Sequence, residues 1–227
     1  MPEVKKWAMD VRMSFQKTGM AKFISHLDTV RCITRAMKRA NVPVWFTEGF
    51  NPHAFLTFAM PLSLGFESLC ETVDFRLMEE VDLNELKERL NNALPVDITV
   101  KEIYVYDTTP NDIRWAEYKI IFNNPDSLLF DKAESRLSSD EIIVLKKAKQ
   151  GRKKVDKEVN IKEHIKSFGF GNDNGRLILN TVLSSGTSIN INPMLLIGAL
   201  VKDTATDEQD VDVIKVQSYT ENMEVFR

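Results

Sequence analysis

Cysteine is almost missing from this chain: only Cys32 and Cys70 occur. They are too few and too far apart for a Cys-x-x-Cys metal knuckle, and a reduced pair of half-buried thiols is the expected state. Long apolar runs are missing too. The longest candidate, Met194 through Val201, falls well short of the roughly 18 residues that span a bilayer and suits a buried helix after Pro193. No apolar stretch before a small-residue cleavage site follows Met1-Pro2-Glu3-Val4-Lys5-Lys6-Trp7, so no secretory signal is evident and a cytoplasmic location with no membrane partner is expected. The sequence also lacks a Gly-Lys-Ser/Thr phosphate loop, a Gly-x-Ser-x-Gly elbow and a His-Glu-x-x-His helix, which leaves nucleotide hydrolysis, serine hydrolysis and zinc proteolysis without support. Neither a cofactor nor a resident metal is expected.

The composition is that of a folded protein: 227 residues, 43% hydrophobic and 28% charged, with a formal net charge of −3. That length holds one large domain or two small ones. The charge is distributed in blocks. Between Val11 and Pro61 the cations Arg12, Lys17, Lys22, Arg31, Arg35, Lys38 and Arg39 meet only Asp28 and Glu48. A basic face on a globally acidic protein follows from such asymmetry.

Met9 to Gln16 reads as a strand, and Ser25 is a helix N-cap that Asp28, three residues on, can answer as a variant capping box. The helix is expected over residues 26 to 40. Extended structure resumes at Pro43-Val44-Trp45-Phe46; Glu71 to Leu77 alternates as a strand, Asp82 caps a second helix through Leu83, Leu86, Leu90 and Leu94, and Val96 to Tyr106 closes the unit. This βαββαβ order predicts an α+β fold, a ferredoxin-like sandwich with helices on one face of an antiparallel sheet. After the polar joint Asp107 to Asn111 a second approximate unit is expected, with strands at 115–122, 141–149, 176–183 and 211–216 and helices at 126–137 and from Pro193. The predicted domains are therefore residues 1–107, carrying the candidate site, and 112–227. Residues 150 to 174 fit the repeat poorly, although Asn174-Gly175 is a hairpin signal before a strand.

On the first helix Leu27, Val30, Ile33, Thr34, Met37 and Ala40 fall on one arc and are expected in the core, while Arg31, Arg35, Lys38 and Arg39 occupy the adjacent arc. Like charges four apart repel, so such a stripe calls for an anion or an acidic partner, phosphate first among them. His26 falls at the first helical position, where free N–H groups favour an anion. The loop Glu48-Gly49-Phe50-Asn51-Pro52-His53 carries Phe50, which is expected to be exposed and able to stack a base. His26 and His53 are also candidates for an acid–base pair in RNA cleavage, or for metal ligation with Asp28 or Glu48. The run Lys146-Lys147-Ala148-Lys149-Gln150-Gly151-Arg152-Lys153-Lys154 suits either a solvated hairpin or a nucleic-acid footprint.

The segments Phe23-Ile24-Ser25-His26-Leu27-Asp28, Arg35-Ala36-Met37-Lys38-Arg39-Ala40, Pro43, Glu48 to His53, Pro61-Leu62, Gly65, Glu67-Ser68 and Glu71 closely resemble the bacterial radical-SAM-linked family, a domain of unknown function. The resemblance implies an association with radical SAM proteins, and it singles out Ser25, His26, Asp28, Arg35, Arg39, Gly49, Phe50, Asn51, Pro52, His53, Glu67 and Glu71. Because the chain has no Cys-x-x-x-Cys-x-x-Cys to hold a [4Fe–4S] cluster, it would be a companion of such an enzyme and not the radical generator. The leading expectation is a non-catalytic module that binds structured RNA through Arg31, Arg35, Lys38 and Arg39, with His26, Phe50, Asn51 and His53 adding contacts. A ferredoxin-like ribonuclease using the histidine pair and an adaptor that docks a radical SAM partner are the alternatives.

Overall fold

Alternation with period two builds the first unit. In β1 (Met9–Lys17) the side chains of Val11, Met13 and Phe15 are buried. Across an antiparallel ladder, Val11 lies opposite Phe75 and Met13 opposite Val73 of the strand Glu67–Leu77. The computed structural model describes residues 7–150 and 153–227, with 147–150 and 153–156 described by their backbone alone. It divides into two units, one through Asp112 that also takes in Val225–Arg227, the other Ile113–Glu224.

In the first unit, helix α1 (His26–Arg39) follows β1, then come β2 (Leu56–Phe58), β3 (Glu67–Leu77), α2 (Leu83–Ala93) and β4 (Ile98–Tyr104). The strands lie in the order β4-β1-β3-β2, antiparallel at every pairing. Ile33 and Met37 of α1 and Leu86 and Leu90 of α2 join the inward residues of the sheet in one apolar cluster. Asp82 caps α2 by accepting from the amides of Asn84 and Glu85 at 2.8 and 3.1 Å, as its position predicts.

The second strand differs from expectation. Pro43 to Phe46 forms no full strand: Val44 bridges Leu77, and the Trp45 amide donates to the Arg76 carbonyl at 2.8 Å. The chain then leaves the sheet, Phe46 bridging Ala54 at the neck of the excursion, and returns as β2 with Leu56 opposite Phe75. One strand position is thus split, and the Gly49–His53 segment is the loop inserted into it.

The outer face of the β1–β3 pair is charged. Asp10 lies directly opposite Arg76, and Arg12 opposite Asp74. Arg12 is fully buried; its guanidinium makes a bidentate pair with Asp74 at 2.5 and 2.8 Å and donates to the Thr108 hydroxyl and carbonyl at 2.7 and 3.1 Å. The rings of Tyr106 and Phe226 each lie 4.3 Å from its central carbon. Arg76 pairs with Asp10 at 3.2 Å among Trp7, Trp45 and Phe55.

The second unit contains β5 (Trp115–Phe122), α3 (Leu129–Ser138), β6 (Ile143–Gln150), β7 (Lys153–Asn160), β8 (Ile165–Asp173), β9 (Arg176–Ser184), α4 (Pro193–Val201) and β10 (Val211–Tyr219). Its main sheet runs β10-β5-β9-β8, with antiparallel pairings. The expected sheet strand at 141–149 corresponds instead to β6, which pairs with β7 as a separate two-stranded ribbon. The place it was expected to fill belongs to β8. There Gly169 and Gly171 flank Phe170 and every residue is exposed or half-buried, so the strand carries little of the alternation that betrays a core-facing segment. Asn174 and Gly175, at φ of 52° and 83°, make the β8–β9 turn. Helix α4 is capped by Asn192 and buries Leu196, Ile197, Leu200 and Val201, matching the apolar run after Pro193.

The protein is thus mixed α and β with mostly antiparallel sheets. Among the described residues no helix is long and apolar enough to cross a membrane. The opening residues that bear on a secretory signal lie outside the described ones, as does most of the Lys146 to Lys154 run in its side chains.

Removing one member of a buried ion pair strands the other in a site without water. Asp74→Ala is therefore expected to lower unfolding free energy by about 3–5 kcal/mol in urea denaturation, and the double change Arg12→Met with Asp74→Leu to recover most of that loss. A double variant as unstable as the single one would contradict this account of the pair.

Candidate functional site

Helix α1 starts at Ser25, whose side chain satisfies one of the free amides of its first turn. The Ser25 hydroxyl accepts from the Asp28 amide at 3.1 Å and donates to the Asp28 carboxylate at 2.7 Å. These bonds, with the Arg31 guanidinium 3.0 Å away, hold the Asp28 carboxyl below its usual range. The buried side chains of the helix are Thr29, Ile33, Ala36 and Met37. Leu27 does not join them: it is 66% exposed, a correction to the apolar arc expected from 100° spacing. The buried face is rotated from that arc: Thr29 and Ala36 join Ile33 and Met37 in it, while Val30 and Thr34 are half-buried.

From Leu27 the row Arg31, Arg35, Arg39 runs along the helix at intervals of four, neighbours on one surface. Asp28, Arg31, Cys32, Arg35 and Arg39 line a depression of about 560 Å³ closed on its other side by Ala93, Leu94 and Pro95. Arg39 donates to the Ala93 carbonyl at 2.6 Å, which ties α1 to the end of α2. Arg31 is taken by Asp28, but Arg35 has no hydrogen bond or ion pair among the described residues. Lys38 is exposed and lies outside the depression. Burial pushes the Cys32 thiol up, against the opposing charges of Arg39 and Arg35.

The cationic block is smaller than its count. Arg12 is consumed by Asp74, Lys22 lies 3.8 Å from Glu67, and Lys17 is buried. The Lys17 ammonium donates to the Ile24 carbonyl at 3.2 Å, just ahead of the Ser25 cap, and feels the charge of Glu71. Glu71 in turn accepts from the Ser68 hydroxyl at 2.8 Å. Glu67 and Glu71, which have no assignable role from spacing alone, thus counter the lysines around the turn that leads into α1. Burial lowers the Lys17 pKa, and Glu71 only partly offsets it.

The loop inserted into the split strand is closed by its own bonds. The Thr47 amide donates to the His53 carbonyl at 2.8 Å, the His53 amide to the Thr47 hydroxyl at 3.2 Å, and His53 Nδ1 lies 3.1 Å from both that hydroxyl and the Asn51 carbonyl. An Nδ1–H aimed at the Asn51 carbonyl leaves Nε2 as the free position of the ring. Gly49, at φ of +118°, takes a backbone conformation that a side chain would strain. Beside it Phe50 is wholly exposed, with Asn51 and His53 also in solvent. Phe46 is 52% exposed, while Trp45, Phe55 and Phe58 are half-buried.

His26 packs edge-on against Phe58, ring centroids 5.2 Å apart. Among the described residues no contact joins His26 to His53, and no three His, Cys, Asp or Glu side chains gather as a metal set.

A family described as an uncharacterized protein conserved in bacteria (DUF2344) matches residues 11–193. The chain belongs to that family. The match takes in α1, the inserted loop and Lys17, Ser68 and Glu71. No curated protein matches the chain. Among solved structures it is similar to an unknown protein from Galdieria sulphuraria, at 11% identity over 92% of this chain and 98% of that one, with a TM-score of 0.27. A likeness at that level carries no argument.

A lysine whose folded pKa lies below its unfolded value of 10.5 binds fewer protons folded than unfolded between those two values, so its contribution to stability rises with pH across that window. Wild-type stability measured as pH rises toward 10.5 is expected to climb relative to Lys17→Met. Parallel pH curves for the two proteins would contradict a lowered Lys17.

Proposed function

We propose that the chain is a non-catalytic accessory module that binds structured RNA on the arginine row of α1. In this reading the radical SAM association implied by the family resemblance supplies the setting, a cytoplasmic one, in which RNA is held for or beside a partner enzyme. The observation that carries the reading is the depression lined by Arg31, Arg35 and Arg39, in which Arg35 has no hydrogen bond or ion pair among the described residues. A guanidinium left unpaired beside two others is suited to phosphate oxygens, which accept its fork of donors.

The remaining contacts extend this surface. Lys38 adds charge next to the row, and the α1 N-terminus with His26 offers a further phosphate contact. Phe50 supplies a fully exposed ring for stacking an unpaired base, and Asn51 with the free His53 nitrogen can read a base edge. The reading also takes both units as ferredoxin-like, supported by the matching orders β4-β1-β3-β2 and β10-β5-β9-β8.

The test is a salt titration of RNA binding. Arg39 ties the helices together through the Ala93 carbonyl, so Arg35→Glu is the cleaner probe. Wild type is expected to bind cellular RNA at low salt, and Arg35→Glu to bind more weakly with a log–log salt slope shallower by about one. Absent binding by wild type, or an unchanged slope in a folded variant, would overturn the proposal.

A further inference from the structure

Four large apolar side chains stand in water in the 3₁₀ turn before α1, in the first turn of α1 and in the loop before β3. Met20 and Phe23, in the 3₁₀ turn Gly19–Phe23, are 71% and 59% exposed, and Leu27 and Leu64 are each 66% exposed. In a 3₁₀ turn residues three apart eclipse, which puts Met20 and Phe23 on one side. The Gly65 amide donates to the Lys22 carbonyl at 2.8 Å, setting Leu64 beside that turn. Single exposed apolar residues are ordinary on a protein surface; a group of large ones with an ion pair, Lys22–Glu67, at its edge has the make-up of a contact surface.

We propose that Met20, Phe23, Leu27 and Leu64 dock an acidic amphipathic helix of a partner protein, with its apolar side on this patch and a carboxylate on Arg35, for which the partner and RNA would compete. Two features select that occupant. Met20, Leu27 and Leu64 are aliphatic, so they bury side chains well and offer a nucleobase no stacking face. Leu27, Arg31 and Arg35 continue in one line at intervals of four, about 6 Å apart along the axis, so an apolar anchor is followed at once by cations. A helix carrying apolar residues at i, i+3, i+4 and i+7 and acidic residues on its flank complements that order. A second copy of this chain would bring the same cations to the contact. The proposal does not rest on RNA binding.

The probe is a labelled synthetic helix-forming peptide with leucine at i, i+3, i+4 and i+7 and glutamate elsewhere, compared with the same peptide carrying lysine for glutamate. Fluorescence anisotropy with the full chain is expected to show binding of the acidic peptide alone, weakened at least about tenfold by Phe23→Asp or Leu27→Asp and less sensitive to salt in Arg35→Glu. Both patch positions are exposed, and unchanged urea midpoints verify that the variants fold. Equal affinity for both peptides, no binding of the acidic one, or indifference to Leu27→Asp overturns the proposal. So does a dimer of this chain that Leu27→Asp dissociates, which assigns the patch to a second copy. Loss of poly(U) binding in Leu27→Asp without peptide binding overturns it in favour of RNA.

Discussion

Arg12 and Asp74 face each other across β1 and β3, on the side of the sheet turned away from α1 and α2, and their bidentate pair is buried under Tyr106 and Phe226. In an antiparallel ladder a slip of one residue would turn Val11, Met13, Phe15, Val73 and Phe75 away from the helices and bring the charges beneath them. A second pair, Asp10 with Arg76, repeats the constraint two residues along. Register in this pair of strands is thus specified twice, by apolar residues on one face and complementary charges on the other. A buried pair is weak evidence for net stability, but it penalises the wrong register heavily, since every alternative leaves a guanidinium or a carboxylate unpaired.

With the register set, the burial of Ile33, Ala36 and Met37 decides which side of α1 remains outside. The arginine row follows from that choice. Lys17 works at the same junction: its ammonium holds the Ile24 carbonyl in the turn before Ser25, with Glu71 and Ser68 completing the set. Two of the cations that make the first block look basic therefore serve as internal struts, and a third, Lys22, is beside Glu67. What remains for an external anion is narrower than the charge count, centred on Arg35 and bounded by Arg31, Arg39 and the end of α2.

Local signals were legible and distant ones were not. Ser25 and Asp28, Asp82, Asn174-Gly175 and Pro193 each act within a few residues of themselves, and the helices and turn they mark stand where the sequence places them. Phe50 could be read as exposed because Gly49 and Asn51 flank it. The burial of Arg12 depends on Asp74, Thr108 and Phe226, separated from it by long stretches of chain, so an isolated strand pattern shows only a basic residue on the polar face. The same holds for Lys17 with Glu71. The split second strand is not legible in the sequence because Val44-Trp45 and Leu56–Phe58 are each too short or too irregular alone; only their common partner β3 shows that they share one position. β8, with glycines around Phe170 and no buried side chain, gives alternation little to show.

The central claim, that the exposed side of α1 is an RNA surface, is tested most directly by ultraviolet crosslinking of the full chain to bound RNA, with the adducts located by mass spectrometry. The account predicts adducts within residues 26–53, with Phe50 or His53 among them, and their loss in Arg35→Glu. Adducts confined to residues of the Ile113–Glu224 unit, or unaffected by Arg35→Glu, would contradict it.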